Sequence, residues 1–316
     1  MGCETKWELA VIDMSSEEMK AGSEAWISGC KTVRKAFEDE GGFVALYDKP
    51  GGEQLGDSFY SSMKQLFELP LESKQRETTD KPIIPYARGH PDIPLYETLA
   101  IYNPISKQHC EHYANVMWPQ GNPTFCENVN SYAKQLVELD NMVKRMLFES
   151  FGVEKNKYEE LMESMEYVVR GYKYRAPERE KGEGNLGLPP HSDPSFITIL
   201  NQKIDGLEVR LKNGEWAHVS ASHNLFFVMC GHAMKVWSND RLRACHHRVF
   251  VNSKVDRYSM GLMTYINKVI EPEETLVDEE HPLRFKPFDH YGYLRYFHTP
   301  EAIAKLPRRI YAYCGI

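Results

Sequence analysis

The stretch LPPHSDPSF, residues 188–196, sets His191 and Asp193 two positions apart between prolines. In an extended segment, residues i and i+2 point to the same side, so an imidazole and a carboxylate there converge on one point. Such a pair plus one distant histidine makes a 2-His-1-carboxylate set. That set binds Fe(II) and leaves positions open for a co-substrate and O2. Alone, His-x-Asp recurs by chance, and a polar turn that contains a histidine is its plainer reading.

A distal histidine is available in RACHHRVFVNSKVDRYS, which offers His246 and His247. Neighbouring strand residues face opposite sides, so only one of the two can point inward. Arg257 and Ser259 then form a second i, i+2 pair. Arg257 suits bidentate capture of a carboxylate, and Ser259 can add a hydrogen bond. An arginine at a strand start is more often a solvated surface residue, but the combination of all these features is far rarer than any one of them. HCEH, with His109, Cys110, Glu111 and His112, has no second ligand cluster at zinc-finger spacing and reads better as a polar surface segment than as a zinc site. His218, His223 and His232 could approach a metal; lone histidines of this kind are more often surface or hydrogen-bonded structural residues.

The elements that would position these residues change character along the chain. Before about residue 160 the pattern is mainly helical. Trp26, Cys30, Val33 and Phe37 follow helical spacing up to Gly41-Gly42, as do Leu136, Leu139, Val143 and Leu147 up to Gly152. From about residue 167, short β-rich runs follow in quick succession: EYVVRGYKY, SFITILNQ, GLEVRLKNGEW, NLFFVMCG, HRVFVNS and RYSMGLMTYI. Leu207, Val209 and Leu211 alternate with polar residues, and Asn213-Gly214 predicts a two-residue hairpin turn. The expected fold is mainly β with flanking helices. It has a helical N-terminal region with edge strands (1–160), a double-stranded β-helix or jelly-roll core (161–275), and a C-terminal segment (276–316) with a helix around TPEAIAKLPRRIY.

Bulk properties narrow the function classes. A chain of 316 residues can bury a large core. A net charge of -7 without a basic stripe argues against general nucleic-acid binding. No apolar run approaches the roughly 20 residues of a membrane span. The start MGCETKWELAVID lacks a secretory pattern, and Lys6 breaks the myristoylation pattern that Gly2 would otherwise suggest. Seven scattered cysteines without a CxxC read as reduced, intracellular usage. These features together lead to the expectation of a cytoplasmic protein.

Over nearly its whole length the sequence resembles the plant 2-oxoglutarate- and Fe(II)-dependent dioxygenases. The likeness runs through LAVIDM, KAFEDEGGFVALYDK, LFELPLESKQR, WPQGNP, ESFG, GLPPHSDPSFITILNQ, GLEVRLKNGEWAHV, VWSNDRLRACHHRVFVNSKVDRYSMGLM and LVDEEHPLRFKPF, in order. It is nearest to the branch that contains alkenyl- and hydroxyalkyl-producing glucosinolate dioxygenases and steroidal-glycoalkaloid hydroxylases. The resemblance implies iron ligands at His191, Asp193 and His247, the last favoured over His246 because it directly precedes Arg-Val. It implies 2-oxoglutarate binding by Arg257 and Ser259, with Tyr174 nearby. Three positions depart from the family's habit: Tyr172 replaces an Asn, His232 an Asp and Met263 a Phe.

The implied activity is hydroxylation, desaturation or dealkylation of a small specialised metabolite, with 2-oxoglutarate and O2 as co-substrates, succinate as a product and ascorbate as reductant. Asp193 argues against halogenation, since a Gly or Ala there would admit a halide. Ile83, Tyr86, Phe196, Met263 and Tyr265 are candidate linings of the substrate pocket in the barrel mouth, against ordinary barrel packing. A monomer is expected. The alternatives are an iron oxidase that does not use 2-oxoglutarate and a degenerate, non-enzymatic ligand-binding relative.

Overall fold

The structure, a computed structural model, describes residues 9–77, 79–91, 93–177 and 185–316. Gly2 and Cys3 lie outside the described residues. In chain order the elements are β1 (Val11–Asp13), α1 (Glu24–Asp39), β2 (Gly42–Leu46), α2 (Gly52–Glu68), α3 (Leu71–Lys74), β3 (Tyr86–His90), β4 (Ile93–Tyr102), α4 (Lys107–Met117), α5 (Pro123–Ser150) and α6 (Lys155–Glu163). Then follow β5 (Met165–Tyr174), β6 (Leu186–His191), β7 (Ile197–Gln202), β8 (Leu207–Arg210), β9 (Trp216–His218), β10 (Leu225–Cys230), α7 (His232–Trp237), β11 (His247–Phe250) and β12 (Arg257–Ile266). The chain closes with β13 (Val269–Ile270), β14 (Phe288–Asp289), α8 (His290–Phe297), α9 (Pro300–Ala304) and α10 (Arg309–Cys314).

Two sheets face each other. The larger has the order β1-β2-β10-β7-β12-β5-β4-β3, and the smaller β6-β11-β8-β9. This is the jelly roll, with the strands of the N-terminal 160 residues forming both edges of the larger sheet. Between the sheets lies one apolar cluster, to which Tyr172, Tyr174, Phe227 and Met229 contribute from one side and Leu207, Val209 and Val249 from the other. On its outer face the larger sheet meets the helices. There Val169, Ile199, Val228 and Leu262 pack with Phe37, Phe59, Val143 and Phe148. Each central strand is thus buried on both faces, and its period of two decides which side chains see helices and which see the cleft.

The helices follow their local signals. Ser23 caps α1 by accepting from the Trp26 amide at 3.0 Å. Asn122 caps α5 in the same way at Phe125, and Pro123 occupies the first turn, where its missing N–H costs nothing. Two expectations need correction. The β8–β9 connection is not a two-residue turn. Leu211 still pairs with Glu215 and Gly214 sits at φ +90°, so this is a three-residue loop with a left-handed glycine. The helix expected around residues 299–311 is broken into α9 and α10, because Pro307 cannot donate to a continuing helix.

One buried ion pair ties the helical layer to the sheet. Lys144 and Asp140 on α5 are fully buried, with Nζ and Oδ2 2.6 Å apart. Thr264 of β12 donates to Asp140 Oδ1 at 3.1 Å. Lys144 donates to the Tyr167 hydroxyl of β5, which itself donates to Asn141. Burial pulls the Lys144 ammonium downward in pKa, and Asp140 opposes that. Removing one partner strands the other charge. We expect Asp140→Ala to cost about 3–5 kcal/mol in urea unfolding, and the double change Asp140→Leu with Lys144→Met to recover most of it. A small loss for Asp140→Ala alone would contradict this account of the pair.

Candidate metal and co-substrate site

The cross-strand register of the smaller sheet builds the site. His191, the last residue of β6, is the direct partner of His247, the first residue of β11. Their rings lie 4.2 Å apart, centroid to centroid. The pairing of β6 with β11 is irregular beyond this point: Leu188 pairs with Val249, so Pro189 and Pro190 fall in a bulge. Prolines fit there because β6 is an edge strand and needs no donor at those positions. His246 faces the other way, with its ring near Trp216.

Asp193 lies just past β6, in a turn held from several sides. The His232 amide donates to the Asp193 carbonyl at 2.8 Å, and the Ala233 amide to the Ser195 carbonyl at 3.1 Å. This close seam needs Gly231, since a Cβ there would sit 2.0 Å from the Ser195 carbonyl oxygen. His290 donates from Nε2 to the Pro194 carbonyl at 2.8 Å and accepts at Nδ1 from the Ile266 amide at 3.2 Å. Acceptance at Nδ1 requires the neutral ring.

The donor atoms of His191, Asp193 and His247 all lie within 4.8 Å of one another. Asp193 Oδ1 is 3.5 Å from His191 Nε2 and 4.0 Å from His247 Nε2. The outer atoms are engaged elsewhere. His191 Nδ1 is 2.8 Å from the Pro189 carbonyl, and His247 Nδ1 is 3.5 Å from the Cys245 carbonyl. A carbonyl only accepts, so each Nδ1 carries the hydrogen and each Nε2 lone pair is free to face the centre. Asp193 Oδ2 accepts from Thr198 at 2.7 Å, so Ser195 in turn donates to Thr198, also at 2.7 Å. Two imidazole nitrogens and one free carboxylate oxygen form a donor set suited to Fe(II).

The charges match that use. Burial lowers the His247 pKa to about 3, with help from nearby His191, so its ring is neutral and able to ligate. Burial alone would raise Asp193. Its neighbours His191, His247 and Thr198 outweigh that, and the carboxyl stays well below its ordinary range.

A narrow cleft opens beside the triad, between the sheets. Arg257, only 1% exposed, lies in its wall. Its Nε donates to the Ile204 carbonyl at 3.0 Å, Nη1 to Ser259 Oγ at 3.1 Å, and Nη2 to Gln202 Oε1. Tyr174, its direct partner on β5, lies under the guanidinium with the ring centroid 5.1 Å away. Every one of these partners is uncharged. Burial pulls the Arg257 pKa downward. A buried cation with spare N–H groups and no carboxylate among the described residues is poised for an anionic ligand.

Gln202 escaped the sequence reading. Its signal was the period of two along β7, which sets Thr198, Leu200 and Gln202 on the cleft side. Tyr172, Leu188, Leu207 and Leu225 also line the cleft. Of the residues expected at the substrate pocket, Ile83, Met263 and Tyr265 join the cluster between the sheets, and the Tyr265 hydroxyl donates to Met263 Sδ at 3.2 Å. Phe196 and Tyr86 do not. Phe196 packs on Phe148 and Trp237 under the helices. It precedes β7 in a turn, so strand alternation does not reach it. Tyr86 pairs opposite Leu99, packs on the helical side and donates to Glu97 at 3.0 Å.

The side chains of the other candidates do not join the donor set. Cys110 is buried in α4 while His109, Glu111 and His112 point to solvent, so HCEH does not converge. His218 is near Glu208 and His223 near Glu53. His232 shares a 2.8 Å hydrogen bond with the Tyr293 hydroxyl.

A jelly roll with a His-x-Asp and distal-His donor set beside a buried arginine defines a non-haem metal oxygenase. The sequence model of the 2OG-Fe(II) oxygenase superfamily matches residues 164–264, a span holding the triad, Arg257 and Ser259. The chain is 39% identical over 300 residues to the probable 2-oxoglutarate-dependent dioxygenase AOP1.2 of Arabidopsis thaliana, covering 93% of this chain and 92% of that one. It is similar to the rice dioxygenase for auxin oxidation at a TM-score of 0.75 and 25% identity, covering 92% and 95% of the two chains. The Arabidopsis auxin-oxidation dioxygenase 1, solved with 2-oxoglutarate, gives a TM-score of 0.75 and 25% identity, with 87% and 100% covered. The chain belongs to the plant 2-oxoglutarate- and Fe(II)-dependent dioxygenases.

Two measurements check the site. Thr198→Val removes the bond that orients Asp193 and should weaken Fe(II) affinity roughly 10- to 100-fold in anaerobic titration, while His246→Ala leaves it unchanged. Unaltered affinity in the first variant would contradict the assignment. For pH, burial lowers the folded His290 pKa to about 4, against about 6.5 unfolded. The unfolded chain therefore binds more protons between those values, and metal-free stability should fall as pH drops from about 6.5 to 4. His290→Gln should reduce that slope, as read from urea midpoints, and an unchanged slope would count against it.

Proposed function

We propose that His191, Asp193 and His247 hold Fe(II), that Arg257 and Ser259 bind the far carboxylate of 2-oxoglutarate, and that the chain oxygenates a small specialised metabolite. The observation carrying this reading is the buried Arg257 guanidinium, surrounded by neutral partners beside a three-ligand donor set. Bound there, Fe(II) and 2-oxoglutarate supply O2 activation coupled to decarboxylation to succinate and CO2, with oxidation of a substrate C–H bond. The protein's own residues bind, orient and exclude. Gln202 and Ser259 fix the plane of the guanidinium, and Tyr174 covers its face. Leu188, Leu207, Val249 and Tyr172 keep the cleft apolar, which strengthens each polar contact within it. Asp193 occupies the third protein position with an anion, which favours oxygen chemistry over halide binding.

Hydroxylation is the lead outcome, with desaturation and dealkylation as variants of the same site. An auxin-like or glucosinolate-like metabolite is the kind of substrate that the relatives suggest. We further infer ascorbate as the reductant, a monomeric state without nucleic-acid or membrane partners, and a cytoplasmic location. Six described cysteines, all buried and unpaired, support a reducing compartment. No helix among the described residues is long and apolar enough to cross a membrane.

Reconstitution with Fe(II) under anaerobic conditions, followed by O2 and 2-oxoglutarate, should yield succinate. Arg257→Ala should raise the 2-oxoglutarate KM roughly 100-fold, the loss of about 3 kcal/mol of charge-assisted bonding, while Fe(II) still binds. No succinate from the wild type, or an unchanged KM in the variant, would overturn the reading.

A further inference from the structure

We propose that the outer face of the smaller sheet carries a second binding site, a shallow groove behind the turn that holds Asp193. It takes a small oxyanion with two or more negative charges, held by Arg210 and Lys212. The site is separate from the inner cleft and does not depend on the oxygenase reading above.

Strand alternation builds the near wall. Leu207, Val209 and Leu211 join the cluster between the sheets, so Arg210 and Lys212 point outward and are exposed. Across the groove stand Lys235 of α7 and Ile310 and Tyr311 of α10. On the floor are Ser192, between His191 and Asp193 in sequence, and His246. Ser192 Oγ is 3.5 Å from His246 Nδ1. His246, which adds nothing to the donor set, thus faces this second site.

The charge here runs against that of the whole chain. The net charge is -7, yet among the described residues the groove is lined by four cations, Arg210, Lys212, Lys235 and Arg243, and by no acid. Two of the four have partners just outside it. Lys235 is paired with Asp240, and Arg243 lies 3.6 Å from Glu40. Among the described residues the side chains of Arg210 and Lys212 make no ion pair and no hydrogen bond. The acid on the same face of β8, Glu208, is committed elsewhere, to Arg248 at 2.6 Å and to His218 at 3.4 Å. Two like charges side by side on one wall repel each other, and an anion between them reverses that cost.

The backbone under the two cations is held in place. Arg243 Nη2 donates to the Arg210 carbonyl at 3.2 Å and to the Leu211 carbonyl at 3.4 Å, and the Lys212 amide donates to Glu40 Oε2 at 2.6 Å. The far wall is fixed as well, since the Tyr311 hydroxyl donates to Asp240 at 2.7 Å beside Lys235. Residues i and i+2 of an extended chain lie roughly 6–7 Å apart. That spacing suits a ligand with two anionic groups, a diphosphate or a polycarboxylate, better than a single carboxylate. Arg210 offers a planar fork and Lys212 a mobile point charge. A groove walled on both sides fits a small ligand, whereas a stable protein partner needs a face of roughly 800 Å².

The test titrates pyrophosphate and citrate separately into the metal-free protein by calorimetry, at fixed low ionic strength. At least one of them should bind one-to-one, and the two arms distinguish a phosphoryl from a carboxylate ligand. Arg210→Gln with Lys212→Gln should weaken that binding about tenfold, the worth of two exposed charge contacts. Arg257→Ala should leave it unchanged, as should Lys155→Gln with Lys157→Gln, which removes the same charge from α6. No binding of either probe overturns the inference. So does an equal loss in the α6 pair, which would make the effect one of net charge alone. A loss in Arg257→Ala without one in the Arg210 and Lys212 pair would place the anion in the inner cleft and overturn it too. A poly-glutamate peptide that binds where both probes fail would make the groove a protein-docking face, again against the inference. The oxygenase reading stands or falls separately, on succinate formation.

Discussion

The arrangement depends on strands that are buried on both faces. β12 shows it most plainly: Ser259, Gly261, Met263 and Tyr265 share the inward face with Arg257, while Met260, Leu262, Thr264 and Ile266 meet the helices. A slip of one residue would drive the guanidinium into the helical core and Leu262 into the cleft. The apolar packing of α5 against the outer face therefore does more than stabilise. It locks the register that puts Arg257 opposite Tyr174. The same logic governs the smaller sheet, where pairing His191 with His247 brings two imidazole donors together across neighbouring strands.

Polar satisfaction then separates structure from function. Buried charges that serve the fold are paired: Lys144 with Asp140, and Lys74 with Glu97 at 2.6 Å. Arg257 is equally buried and, among the described residues, has no such partner. Around the donor set the same contrast holds. Backbone carbonyls or a threonine engage the outer atoms of His191, His247 and Asp193, and the inner atoms face one another. An unpaired buried charge is costly in a native protein, so its persistence points to a ligand that completes it.

Much of this was legible in the residues. The i, i+2 pair Arg257–Ser259 needs only strand geometry to converge, while His191–Asp193 also needs the turn that holds Asp193 just past β6, and the helical stripes before residue 160 follow directly from spacing. Choosing His247 over His246 needed the family likeness, because alternation alone allows either. The misplacements have local causes. Phe196 sits in a turn where a period of two does not apply, Tyr86 lies on an edge strand whose register was not visible, and Pro307 divides what the apolar spacing alone made one helix. Gln202 was missed because its role depends on which face of β7 is inward, and that is set by pairing with β12, not by its neighbours in sequence.

The central claim is that Arg257 and the triad together form one co-substrate site. A crystal structure of the protein with Mn(II) and 2-oxoglutarate tests it most directly. The account predicts the metal on His191, Asp193 and His247, and the far carboxylate of 2-oxoglutarate on the Arg257 guanidinium and the Ser259 hydroxyl. A metal bound without His247, or a co-substrate carboxylate held away from Arg257, would contradict it.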